Sequence, residues 1–264
     1  MKHFSLKYSD SVSTWALALL VIASLVFSCQ LRAEESAFAD RMGDAIELTG
    51  NLQIASSYLY RGINLNDELT PSLALSARHD IGLFASFWLG EDDIAGVLGE
   101  SRDSDVETEY LLGYAYTFNR ELSMSVARIW HEYLQDNQPR SHDFQETTLQ
   151  LNHSRLGSFA LGHGRDVWTS GMNLTYVYYQ HRSAFFIRDQ VFYSVQELGT
   201  NWLTRGRSEM KNTRLDYARL SIASPLGAGF VLQLDYSYSR SNRSNFFNSD
   251  RIGSQPVITL RRSF

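Results

Sequence analysis

The chain has 264 residues, a formal net charge of −5 and 13% aromatic residues. Its length allows one large domain or two small ones. The acidic balance excludes a general nucleic-acid binder, and a single cysteine, Cys29, excludes a disulfide-stapled secreted domain.

Residues 1–33 read as a secretory signal peptide. Lys2 and Lys7 precede an apolar run from Trp15 to Phe27, 13 residues broken only by Ser24. A helix that spans a bilayer needs about 20. The expected cut follows Ala33. A cut before Cys29 would instead give a lipoprotein, and Phe27 is bulky for such a site. Removing this segment, which carries a net +2, leaves a mature chain at −7 with no cysteine. Beyond residue 33 a single lysine, Lys211, stands against twenty arginines. Arginine suits planar pairing with carboxylates or phosphates, and a compositional bias of the genome accounts for the imbalance equally well.

Residues 34–46 form a short lead-in, and 47–264 form the fold. Alternation of period two dominates there, so one face meets an apolar medium and the other a polar one. Twelve strands are expected, over 48–63, 71–79, 83–90, 106–118, 121–134, 143–153, 158–165, 172–180, 184–195, 213–224, 229–241 and 256–264. The first sets Leu48, Leu52, Ile54, Tyr58 and Tyr60 against Asn51, Gln53, Ser57 and Arg61. "VETEYLLGYAYTF" sets Tyr110, Leu112, Tyr114, Tyr116 and Phe118 against Glu107, Glu109 and Leu111. In "GFVLQLDYSYSRS", Phe230, Leu232, Leu234, Tyr236 and Tyr238 oppose Gln233 and Asp235. The parity lapses near Arg128 and near Ala218, and both places read as β-bulges.

The connections sort by length. "NLNDELT", "EDDIAGVLGESRDSD", "QDNQPRSH", "QELGTNWLTRGRSEMKN" and "NRSNFFNSDRIGSQ" are long. "DIG", "NR", "SRLG", "QHRS" and "PLGA" are short, and they alternate with the long ones. Short turns at one end and long loops at the other mark an outer-membrane β-barrel; a soluble sandwich has no reason to sort its loops so. The expected fold is therefore all-β: a closed antiparallel transmembrane barrel of about 12 strands, apolar outside and polar inside. Tyr58, Tyr60, Tyr114, Tyr116, Tyr236 and Tyr238 would form aromatic girdles. On the last strand, Ile258, Leu260 and Phe264 would face lipid, and Thr259, Arg261 and Ser263 the lumen. Arg262 falls on the lipid face, close enough to the rim to snorkel.

The stretch "IASSYLYRGINLND" resembles the opening strand of the TorF family of porins, with Tyr58, Tyr60, Arg61 and Gly62 matching its aromatic-Arg-Gly motif. Ser57 and Asn64 depart from it. The order "GLFASFW", acidic loop, "ETEYLLGYAY" and a terminal Phe264 is similar as well. The resemblance implies a barrel in the bacterial outer membrane with a pore function, and it implies no catalytic residues. A C-terminal aromatic on an alternating strand also resembles the signal shown to the barrel-assembly machinery.

The expected function is a porin-like channel for small polar solutes or ions, lying among outer-membrane lipid and lipopolysaccharide. The alternative is a plugged barrel acting as a surface or structural protein or as a lipid hydrolase. Candidate pore-lining residues are Gln53, Arg61, Glu109, Gln233 and Asp235, with Arg61 either selecting anions or paired to Glu109 or Asp235. Gly62 would let the strand bend into its loop. No Ser–His–acid set assembles: His153 and Ser154 point to opposite faces of a strand, His163 falls opposite Thr148, and His131 near Gln145. No catalytic, cofactor-binding or metal residues are therefore assigned. Seven acids crowd residues 91–107 against Arg102, without EF-hand spacing. That segment reads as a solvated, self-repelling loop.

Overall fold

The computed structural model describes residues 45–93, 97, 105–134, 142–205, 213–242 and 249–264. The expected signal peptide, its cleavage site and nearly all of the lead-in lie outside the described residues. The strands, in chain order, are β1 (Ile46–Ala55), β2 (Tyr58–Tyr60), β3 (Ile63–Asn66), β4 (Thr70–His79), β5 (Leu83–Asp92), β6 (Asp105–Thr117) and β7 (Leu122–Leu134). They continue as β8 (Phe144–His153), β9 (Gly157–Arg165), β10 (Met172–Ile187), β11 (Gln190–Arg205), β12 (Thr213–Gly227), β13 (Phe230–Ser241) and β14 (Ser254–Ser263).

Twelve of these strands form a closed barrel, in the order β1-β14-β13-β12-β11-β10-β9-β8-β7-β6-β5-β4, while β2 and β3 pair only with each other. Each barrel strand runs antiparallel to its sequence neighbour, and β1 seals the cylinder against β14, with Gln53 opposite Arg261 and Ile54 opposite Leu260. Closure leaves no unpaired edge. The fold is thus the expected closed antiparallel barrel. Among the described residues no helix is long and apolar enough to cross a membrane; strands do the crossing.

Residues paired across two strands share a face. One face carries exposed Leu112, Tyr114, Tyr116, Val126, Leu149, Leu161, Leu198, Leu234 and Ile258. Exposed apolar side chains in a continuous outward band fit a lipid environment and no aqueous one. Tyr114, Tyr116, Tyr236 and Tyr238 belong to this band. Leu260 and Phe264 join it, and Arg262 sits outward with its guanidinium 5.3 Å from the Phe230 ring. The terminal Phe264 extends the seam: its amide donates to Gly50 at 3.0 Å and its carbonyl accepts from Gly50 at 2.8 Å.

Three expectations on the wall need correction. The first strand does not run to residue 63; it ends at Ala55, and the chain turns inward as the β2–β3 hairpin. Tyr58 and Tyr60 are therefore not girdle residues. The turn placed at "QHRS" is strand: β10 and β11 run on, pairing Gln180 with Glu197 and Phe185 with Phe192, and turn at Arg188 and Asp189. Arg188 takes φ 53° there, the left-handed conformation a two-residue hairpin turn requires. Finally, neither Arg128 nor Ala218 is a bulge, since the register passes unbroken through both. The irregularity of β12 lies instead at Pro225/Gly227.

The parity lapses have a different cause. Toward the long-loop end the polarity of the wall inverts. On β7 Arg128 and Glu132 join Trp130 and Leu134 at the outward positions, and the inward ones are Ile129, His131 and Tyr133. On β12 they become Arg214 and Asp216 outside, Leu215 and Tyr217 inside. Leu174, Tyr176, Leu203 and Leu215 are at most 3% exposed there. At this end the barrel encloses an apolar core of its own, and polar side chains enter its outer surface beside Trp130, Leu134 and Trp202. Arg128 satisfies its guanidinium on Thr147 (2.7 Å) and Gln145 (2.5 Å) of the next strand.

Candidate functional site

The inner core is organised by the hairpin. Ile63 to Asn66 are all buried, with Leu65 at 1% exposure. Ile63 and Leu65 pack with Val97, Tyr133, Phe144, Val167, Trp168 and wall residues Leu174, Tyr176, Leu203 and Leu215. The turn is made by Arg61 (φ 47°) and Gly62 (φ 83°). Glycine fits for two reasons: it takes positive φ at little cost, and a Cβ here would fall on Cβ of Tyr217.

The hairpin touches the wall on most of its circumference. Tyr58 stacks on Trp88 of β5 at 5.1 Å, and Tyr60 meets His131 of β7 edge-on at 6.0 Å. Asn201 of β11 donates to the Arg61 carbonyl at 3.0 Å, and the Asn64 and Gln255 amides meet at 3.3 Å. Arg251, 6% exposed, binds Asp67 (2.9 Å) just beyond β3, and also Asp93.

Arg61 is the anchor. Its two terminal nitrogens donate to the two oxygens of Glu146 on β8, at 2.8 and 2.6 Å. Tyr60 donates its hydroxyl to the same carboxylate at 2.9 Å. The guanidinium lies 3.5 Å from the centroid of Tyr176 and 4.4 Å from that of Tyr60. Tyr176 can lie flat on the wall because its β9 neighbour is Gly162, where a Cβ would strike the ring. Planar pairing, stacking and burial together are chemistry that lysine cannot copy. The expected partners of Arg61, Glu109 and Asp235, are corrected to Glu146. Arg61 is on the hairpin tip, not on a strand wall.

The other four candidates lie on barrel strands, with inward parity. Gln53 is opposite Ser72 and Arg261. Gln233 donates to Asp235 at 2.8 and 3.0 Å, and Asp235 also accepts from Ser221. Glu109 faces His131 directly across β6 and β7. Below the hairpin, toward the short turns, the inner wall is polar. Arg182 donates to Gln180 (3.0 Å), Gln180 to Glu197 (3.0 Å), and Arg219 to Glu197 (2.8 Å). A cavity of about 320 Å³ opens at this rim beside Asn152, Ser158, Gln180 and Arg182.

The acids nearest the strands are not solvated as expected: Glu91, Asp92 and Glu107 are 4%, 0% and 1% exposed. Asp93 binds Arg251, and Glu100 and Asp103 lie outside the described residues. Of the histidines, His163 pairs with Thr147 and His131 with Phe144, one position from expectation. His153 accepts from the amides of Arg155 (3.2 Å) and Leu156 (3.4 Å), which caps the turn.

Sequence reading missed Glu146, although its parity with Thr148 and Gln150 placed it on the polar face. The signals that point to it are the strand glycines opposite large aromatics, such as Gly162 beside Tyr176. They mark where the inner wall makes room for something.

No family model and no curated protein matches the chain. Among solved structures, the KdgM porin is similar at 8% identity and a TM-score of 0.45, covering 82% of this chain and 98% of that one. Acinetobacter baumannii OccAB4 is similar at 9% identity and a TM-score of 0.39, over 85% of this chain and 63% of that one. Pseudomonas aeruginosa OprD is similar at 10% identity and a TM-score of 0.37, over 84% and 66%. These likenesses are in outline only, and the closed strand register is what establishes the barrel.

Proposed function

We propose that the chain is an outer-membrane channel of porin type for small polar solutes or ions, gated by the β2–β3 hairpin. The observation that carries this reading is the contrast between the two halves of the interior. Below the hairpin the wall is lined by Gln53, Gln180, Arg182, Glu197, Arg219, Gln233 and Asp235, and opens into a cavity at the short-turn rim. A barrel kept only as a scaffold gains nothing from placing charges where apolar packing would stabilise it. Above, the hairpin blocks the path. In the outer membrane the short turns would face the periplasm and the long loops the outside. Lipopolysaccharide would contact the polar outer band, and the assembly machinery would engage the strand ending in Phe264.

Planar-bilayer recording of refolded full-length protein tests this. Expected are small or infrequent conductance steps that grow when Glu146→Ala releases the hairpin tip. Silence in both proteins overturns the reading. That result would favour a plugged scaffold, for which the buried apolar core around Leu65 speaks.

A further inference from the structure

On the inner wall beside the hairpin, Glu107 and Glu109 of β6 and His131 of β7 form a cluster, of which the channel reading drew on Glu109 alone. We propose that it is a binding site for one divalent transition-metal ion, of which Zn²⁺ fits the donors best. The placement follows from the strands. Glu107 and Glu109 are two apart and so share a face, and His131 is the register partner of Glu109.

The donor atoms of the three residues lie near one another. His131 Nδ1 is 2.8 Å from Glu107 Oε1 and 3.4 Å from Glu109 Oε1. One ligand atom from each residue lies within 4.8 Å of the other two. Ligands at the ~2.0–2.1 Å bond lengths of tetrahedral zinc stand about 3.3 Å apart. Small side-chain shifts would therefore admit the ion. The Tyr133 hydroxyl, 3.0 Å from Glu107 Oε1, is at hand for the fourth position or to orient a water there.

Two further observations point to a missing partner. Glu107 is 1% exposed, yet its Oε2 has no hydrogen-bond partner, on the same carboxylate whose Oε1 faces His131 Nδ1. Buried polar atoms are rarely left so. The charge is also unbalanced. Arg61 spends both arms on Glu146, so the imidazole is the basic group in contact with two carboxylates, Glu107 buried and Glu109 24% exposed. A dication removes that excess. The mixed nitrogen and oxygen donors favour zinc over calcium or magnesium, which take oxygen. His131 also stacks on Phe144 at 4.1 Å, which fixes its ring plane.

The test does not depend on conductance. Refolded full-length protein in detergent is titrated with Co²⁺, whose tetrahedral complexes absorb strongly in the visible, and then with Zn²⁺. Expected is one ion per chain, a tetrahedral Co²⁺ spectrum displaced by Zn²⁺, and a Zn²⁺-dependent rise in unfolding temperature. Glu109→Gln, at the least buried of the three residues, and His131→Asn should each weaken binding at least ~100-fold, with heat-modifiable migration showing that the barrels still fold. No binding by the parent protein overturns the proposal. So does an affinity unchanged in both variants, which would place the ion on other histidines.

Discussion

Removing the Glu146 carboxylate should loosen the hairpin while leaving the barrel intact. Glu146 is 0% exposed and holds Arg61, itself 13% exposed, through two charge-assisted bonds and Tyr60 through a third. Glu146→Ala leaves a guanidinium docked without its counter-charge. Breaking a buried pair from one side costs about 3–5 kcal/mol. At about 1.4 kcal/mol per factor of ten, the ratio of docked to released hairpin falls by roughly 140- to 4,000-fold. The stack on Tyr176 and the packing of Leu65 remain, so the hairpin is weakened rather than ejected. The assay is thiol labelling of Asn64→Cys, a position 3% exposed in the docked hairpin. Once residues 1–33 are removed, it is the sole thiol. If reclosing outpaces labelling, the rate tracks the released population. The labelling rate should rise at least ~100-fold in Glu146→Ala, and by less in Glu146→Gln, which keeps an acceptor. A rise below about threefold in Glu146→Ala would refute the latch.

Gly62→Ala should release the same hairpin by another route, because the new Cβ meets Tyr217 and φ is 83°. Strain of about 1–2 kcal/mol is expected from the backbone alone, read as at least tenfold faster Asn64→Cys labelling. Leu260→Arg puts a charge among outward Ile54 and Leu232. It should cost up to about 2–4 kcal/mol in urea titrations of the vesicle-inserted barrel, and a loss under 0.5 kcal/mol would contradict its lipid exposure. Deleting Phe264 removes both backbone bonds to Gly50. The heat-modifiable form recovered from outer membranes should then fall more than with any single change among Gln53, Gln233 and Asp235; equal recovery would sink the assembly role.

The barrel was legible in the sequence because both of its signals are local. Alternation such as Tyr110, Leu112, Tyr114 and Tyr116 needs only neighbours along one strand. The sorting of loops needs only counting. The same local logic misread Arg128 and Ala218: it assumed one sense of polarity from rim to rim, and the wall reverses where the hairpin fills it. It also carried the first strand through Tyr58 and Tyr60, since a hairpin that leaves the wall keeps the alternation of the strand it leaves. The four wall candidates, Gln53, Glu109, Gln233 and Asp235, needed only parity to be placed inside.

What parity cannot supply is who meets whom across the lumen. Arg61 and Glu146 are 85 residues apart in the chain. Their meeting depends on how many strands close the cylinder, how far the register shifts around it, and how deep the hairpin descends. The sequence by itself determined the wall: strand period, sorted loops, the outward apolar band and a last strand ending on Phe264. Only the tertiary structure decided the interior, with Arg61 on Glu146, Leu65 in an enclosed core and His131 between two glutamates. The physical reason is that solvent preference acts on each residue separately, whereas a contact across the barrel exists only once the ring is closed.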